Sequence, residues 1–222
     1  MVTTNPKSLR SRKLRTRKII AALAKAYPEA ECELTINSPI EVLIATILSA
    51  QCTDKMVNTV TPSLFRKYPT VTAYAQATPA AVEPMIRTLG LYRTKAKSIV
   101  NAARAIVDRH DGEVPDDLDQ LVKLPGVGRK TANCVMVNAF GKPGIMCDTH
   151  CCRLVQRIGL TDQKDPEKIE RALAELMPPE EWGLFSHRII WHGRRLCHAR
   201  KPDCDHCTLR QWCDHGGRKM NK

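Results

Sequence analysis

Four cysteines, Cys197, Cys204, Cys207 and Cys213, fall within seventeen residues near the C-terminus and constrain this chain more than any other stretch. They lie in "CHARKPDCDHCTLRQWC", with six, two and five residues between them. Four thiolates so close together can close a tetrahedral metal site. Zinc sites are usually built from closely paired cysteines, and here only Cys204 and Cys207 form such a pair. Four cysteines suit a 4Fe-4S cluster equally well, so on spacing alone the two metals stand level. The loop between the first two cysteines carries His198, Arg200 and Lys201. Pinned at both ends by metal, it would offer a rigid basic surface to a phosphate backbone. The plainer reading is that these charges only keep the loop solvated.

The remaining six cysteines, Cys32, Cys52, Cys134, Cys147, Cys151 and Cys152, are scattered among apolar residues and read as small buried hydrophobes. No secretory signal is visible, which argues for metal and free thiols rather than disulfides. No apolar run is long enough for a membrane span. The expectation is a soluble intracellular protein. A formal net charge of +12 and a pI near 9.4 point to a polyanionic partner. The first eighteen residues hold Lys7, Arg10, Arg12, Lys13, Arg15, Arg17 and Lys18 and no acid. Such a start reads as a basic arm, 1–18, or as a transit peptide. Against that, Leu14, Ile19, Ile20, Leu23 and Tyr27 resemble the apolar side of a helix that reaches into the fold.

The length of 222 residues allows one large or two small domains with a real core. Helix signals run nearly throughout. Ser38-Pro39-Ile40-Glu41 is a capping box with proline in the first turn, and it opens a buried apolar run to Ala50. Thr53-Asp54 and Thr78-Pro79 start further helices. Gly90 and Gly112 bracket another around 93–109. Asp165-Pro166 caps one that ends before Pro178-Pro179, and a last long helix covers 180–196. No alternating run is long enough for a strand, so the expected class is all-α.

One short stretch, "LPGVGRKTAN" at 124–133, invites a phosphate. It is not a Walker loop, because Arg129 separates Gly128 from Lys130 and the residue five before Gly128 is Lys123. Nor is it a dinucleotide fingerprint, because the third glycine position is Thr131 and a helical pattern, not a strand, precedes it. What remains is a helix, a tight turn through Gly126 and Gly128, and a second helix. The free N–H groups of that second helix could grip a DNA backbone. An ordinary helical corner with a glycine cap fits these ten residues as well.

This hairpin, then "CDTH" at 147–150, then the four-cysteine tail, in that order, resembles the endonuclease III family of helix-hairpin-helix DNA glycosylases. The likeness extends through "LSAQCTDK" (48–55), "GLYRTKA" (90–96) and "HGRRLC" (192–197), and covers roughly residues 18–215. The resemblance implies a 4Fe-4S cluster and two all-α lobes with a DNA-binding cleft between them. The six-helix lobe would span 32–142, with the helix-hairpin-helix at about 118–140. The cluster lobe would join 1–31 to 143–222.

The same resemblance makes Lys130 the catalytic lysine and Asp148 the catalytic aspartate. It implies a base-excision glycosylase with AP lyase activity that removes oxidised pyrimidines through a lysine Schiff base. A helix N-terminus and a dry cleft would both disfavour a charged Lys130 and so favour a neutral nucleophile. Asp148 stands where a helix N-cap is expected. Gln51 would fill the space left by a flipped base and Leu91 would wedge beside it. Gly126, Gly128, His150, Arg200 and Lys201 are the other residues set against DNA. The expected partner is duplex DNA carrying damaged pyrimidines or abasic sites, met by a monomer in the bacterial cytoplasm on the nucleoid, with no membrane involved. A related branch that acts on mismatched adenine lacks the hairpin lysine and carries a further C-terminal domain. Lys130, and an end nine residues after Cys213, argue against that branch. The pair Lys130 and Asp148 argues against a DNA-binding module without chemistry.

Overall fold

The structure is a computed structural model that describes residues 8–220, the side chains of 218–220 aside. Its helices are α1 (Leu9–Ala26), α2 (Pro39–Leu48), α3 (Asp54–Lys67), α4 (Val71–Gln76), α5 (Pro79–Val82), α6 (Tyr92–Arg109), α7 (Leu118–Leu121), α8 (Arg129–Phe140), α9 (Thr149–Ile158), α10 (Pro166–Ala174), α11 (Trp182–Arg195) and α12 (Asp214–Met220). No strand occurs among the described residues, and the class is all-α. No described helix is long and apolar enough to cross a membrane.

The start signals work as local chemistry requires. Ser8, Ser38, Thr53, Thr70, Thr78, Asp117, Asp148 and Asp165 each accept the N–H three residues on, satisfying a donor that the helix itself leaves unpaired. The capping box at Ser38 differs in one bond. Glu41 reaches past the cap and accepts from Asn37 N–H at 2.7 Å. A 3₁₀ turn, Pro179–Glu181, precedes α11, so that helix starts two residues later than its sequence suggests.

The chain divides into two compact units, Cys32–Lys142 and a second that joins Met1–Glu31 to Pro143–Lys222. In the first, α2 is the central element and buries Ile40 and every residue from Val42 to Leu48. Its one buried hydroxyl, Thr46, donates to Val42 C=O at 2.7 Å and so costs little. Helix α6 presents Ala96, Ala102, Ala103 and Ala105 among its buried residues, and these small side chains let α4 pack close. Arg104 then donates to Ala75 C=O and Ala77 C=O, both at 3.0 Å, and satisfies the end of α4.

In the second unit Ile19, Ile20 and Leu23 of α1 are buried with α9, α10 and α11 residues in one apolar cluster. Leu14 is 56 % exposed and does not share that side. The basic start is not a free arm where it is described. Helix α1 begins at Leu9, Arg12 donates to Leu160 C=O at 2.8 Å, and Arg15 donates to Ile158 C=O, Gly159 C=O and Trp212 C=O and pairs with Asp214 at 2.8 Å. These two arginines satisfy the carbonyls at the end of α9. Lys7 and the rest of 1–7 lie outside the described residues.

Candidate active site and cysteine centre

The hairpin turn is anchored from below by Leu124 and Val127, which are buried and joined by a 3.1 Å hydrogen bond from Val127 N–H to Leu124 C=O. Its two glycines have different reasons. Gly126 has φ +78°, and a Cβ there would lie 2.5 Å from Ser98 Cβ on α6. Both the backbone and the close helix require glycine. Gly128 is in ordinary extended conformation, and nothing stands within 4 Å of a Cβ added there. It is the N-cap of α8 and makes no side-chain hydrogen bond to the first turn. The start of α8 is therefore uncapped and sterically open, as a phosphate grip needs. Lys130 projects from that first turn and is exposed, so the dry surroundings expected for it are not met in the free protein.

Gln51 and Leu91 belong to the same unit, and both are exposed. Each has a left-handed backbone, φ 56° and 59°, which non-glycine residues adopt only where the surroundings impose it. No sequence signal announced that strain. Cys134, one turn beyond Lys130, is buried; its thiol is held below the usual range, chiefly by its hydrogen bond with Cys32. Of the six scattered cysteines, Cys134, Cys147 and Cys151 are buried, whereas Cys32, Cys52 and Cys152 are half-buried.

In the other unit Asp148 is the N-cap of α9, half-buried, with Oδ1 accepting Cys151 N–H at 2.7 Å. His150 turns back onto its own unit. Its Nδ1 lies 3.2 Å from Arg153 Nη2, and its ring packs where a Cβ on Gly193 would come within 3.1 Å.

Cys197, Cys204, Cys207 and Cys213 line one cavity, with Leu154, Ile158, His192 and Leu209 among its walls. Three of their sulfurs have a polar group beside them. Arg157 Nη1 lies 3.4 Å from Cys197, Gly216 N–H 3.4 Å from Cys213, and His192 Nε2 3.4 Å from Cys207. All four thiols thus share one cavity. Burial, then the neighbouring thiols, pushes Cys207 up to about 11 and raises Cys213 as well. A metal taken up here would displace those protons.

Sequence reasoning missed what supports the loop after Cys197. Arg157 donates to His198 C=O and Ala199 C=O, each at 2.7 Å, and Arg153 to Cys197 C=O at 2.9 Å. Arg200 and Lys201 stand exposed on the loop so held, and Lys201 has φ 52°. The available signal was two arginines four apart on the helix that Asp148 opens, hence on one face.

The chain matches the HhH-GPD superfamily base excision DNA repair proteins over residues 44–179. It is 49 % identical over 208 residues to the endonuclease III of Synechocystis sp., covering 93 % of this chain and 95 % of that protein. Identity to the Escherichia coli K12 endonuclease III is 41 % over 197 residues, 89 % of this chain and 93 % of the other. A solved non-covalent complex of endonuclease III with DNA superposes with a TM-score of 0.88 at 44 % identity, covering 95 % of this chain and 99 % of that one. A second, trapped as a covalent intermediate with DNA, gives 0.88 at 44 %, covering 94 % and 98 %. The order of turn, capped aspartate and cysteine cavity thus sits in a chain that belongs to the endonuclease III family, within the HhH-GPD superfamily of base excision DNA repair proteins.

Proposed function

We propose that this chain excises oxidised pyrimidines from duplex DNA through a Schiff base on Lys130, and then cleaves the strand 3′ to the abasic site. As a base-excision glycosylase and AP lyase it must bring the damaged base out of the stack first. The neutral Lys130 amine attacks the sugar C1′ and the base leaves with the bonding electrons. Loss of the amine proton and opening of the sugar ring give the Schiff base. Removal of a C2′ proton then expels the 3′ phosphate by β-elimination. Asp148, the cap of α9, stabilises the cationic sugar and helps manage the lysine proton.

The observation that carries this reading is Lys130 itself: an exposed amine in the first turn of α8, two residues after a glycine that leaves the helix start open. The endonuclease III trapped covalently on DNA supports it from outside. The proposed DNA contacts are Gln51, Leu91, Gly126, Gly128, His150, Arg200 and Lys201. The partner is damaged duplex DNA, met by a monomer in the bacterial cytoplasm.

The four cysteines are proposed to hold a 4Fe-4S cluster. Four soft thiols line one cavity, and N–H donors stand beside two of their sulfurs, which suits such a cluster. When bound, the cluster closes the 197–213 segment and supplies no step of the reaction.

The test takes protein purified without air. Borohydride should trap it on a duplex with an oxidised pyrimidine and on one with an abasic site. Iron and sulfide should be near four each per chain, as such a cluster requires. Base binding without an adduct, or stoichiometric zinc, would overturn the corresponding part.

A further inference from the structure

Lys95 is 4 % exposed, although it lies in the first turns of α6. Burying an ammonium is costly, and the N-terminal end of its own helix disfavours a positive charge as well. Neither helix propensity nor apolar packing asks for lysine at this position. Among the described residues its Nζ makes one hydrogen bond, to Cys52 Sγ at 3.1 Å. Cys52 closes the turn after α2, with its N–H on Ser49 C=O at 3.1 Å. The side chain thus reaches the turn that follows α2.

The two turns joined in this way are unusual in the same respect. Gln51 precedes Cys52, and Leu91 is the N-cap of α6, its C=O accepting Lys95 N–H at 3.0 Å. Gln51 and Leu91 are both exposed and both left-handed, φ 56° and 59°. Strained backbone of this kind persists only when neighbouring contacts over-determine it. Lys95 touches both turns, one through its backbone and one through its side chain.

We infer that Lys95 is a positioning residue, whose buried link to Cys52 ties the Gln51 turn to the Leu91 turn so that both side chains enter DNA as one unit. This rests on the proposal that Gln51 and Leu91 occupy the space around a flipped base. Lys95 itself touches no DNA. Its effect falls on base extrusion, before any bond to Lys130 forms. At a preformed abasic site there is no base to extrude, and the link matters little.

The experiment uses the full metal-loaded chain as wild type, Lys95→Met, Cys52→Val, Leu91→Ala and the double variant Lys95→Met/Leu91→Ala. Two readouts are taken on a lesion duplex with 2-aminopurine beside the lesion: fluorescence rise, which reports unstacking, and single-turnover base release. A third is borohydride trapping on a preformed abasic duplex. Lys95→Met should slow fluorescence rise and base release together by about tenfold or more, as a small misplacement of a positioned group does. Trapping at the abasic site should change by less than about twofold, with thermal melting confirming the fold. The double variant should be no slower than the slower single variant, because the two act through one element. Cys52→Val should fall in the same direction, and it decides the matter if Lys95→Met does not fold. Wild-type base release in a folded Lys95→Met would overturn the assignment. So would independent, multiplying losses in the double variant, or abasic trapping that falls as far as base release. If wild type itself neither releases base nor traps, the functional reading fails first, and the Lys95 assignment falls with it.

Discussion

The two units have the same length but unequal cores. Among the described residues, thirty-two buried apolar side chains build the core of 32–142, and seventeen build that of the other unit. The first unit shapes its functional turns by packing: Leu124 and Val127 sink the hairpin, and Ser98 closes on Gly126. The second shapes its site with charged and polar pins, Arg12 and Arg15 at the end of α9, Arg153 and Arg157 under the basic loop, and Trp191 Nε1 on Glu31 C=O at 3.1 Å. A unit with half the apolar core needs further staples, and four cysteines around one cavity supply a place for one. On the proposal that these cysteines hold a cluster, metal would be a matter of folding for one unit only.

The largest expected effect follows directly. Cys204→Ser removes one cavity thiol and should unfold the second unit while sparing the first. All three tryptophans, Trp182, Trp191 and Trp212, lie in the second unit, so their fluorescence reports it alone. Hydrogen exchange should show α9 and α11 amides losing protection and α2 and α6 amides keeping theirs. Equal loss in both units would break the comparison.

Acid should act with the same asymmetry. Burial lowers His187 and His192 to about 4, both in the second unit. Their folded values lie below the ordinary 6.5 of the unfolded chain. Their contribution is therefore fully present above about pH 6.5 and is lost as pH falls towards 4. Tryptophan-detected melting should drop over that interval before α2 and α6 amides lose protection. His187→Phe should flatten the drop, and an unchanged profile would remove this histidine as its cause.

A smaller effect concerns the basic loop. Arg157→Ala removes charge-assisted bonds worth roughly 1.5–3 kcal/mol each and leaves Arg200 and Lys201 in place. If the loop works by being rigid, DNA affinity should lose salt dependence in Arg157→Ala as it does in Arg200→Ala/Lys201→Ala, by about one phosphate contact for each lost residue. A slope unchanged in the double variant would take the loop off DNA.

Much of this was legible in the sequence where the cause is local. The Ser, Thr and Asp caps mark their helices because a side-chain oxygen three residues upstream satisfies a free N–H. Asp148 is such a cap, and the apolar run of α2 is buried as its composition requires. What stayed hidden depends on neighbours distant in sequence. Ser98 explains Gly126, α9 carbonyls explain Arg12 and Arg15, and Cys52 explains a buried Lys95. Lys130 was expected in dry surroundings because of its role, but nothing in its own helix covers it.

The most direct test of the chemistry sets the two units' carboxylate and amine against each other. Lys130→Ala and Asp148→Asn are compared with wild type in borohydride trapping, on a lesion duplex and on a preformed abasic duplex. Asp148→Asn keeps the size and much of the capping ability and removes the charge. It should release base about 10²–10³ more slowly, the usual cost of losing one transition-state electrostatic partner. It should still give adduct on abasic DNA, where the opened sugar aldehyde is itself electrophilic. Lys130→Ala should bind both duplexes through the open start of α8 and give no adduct on either. Near wild-type adduct from Lys130→Ala would mean that another amine is the nucleophile and that Lys130 only touches phosphate.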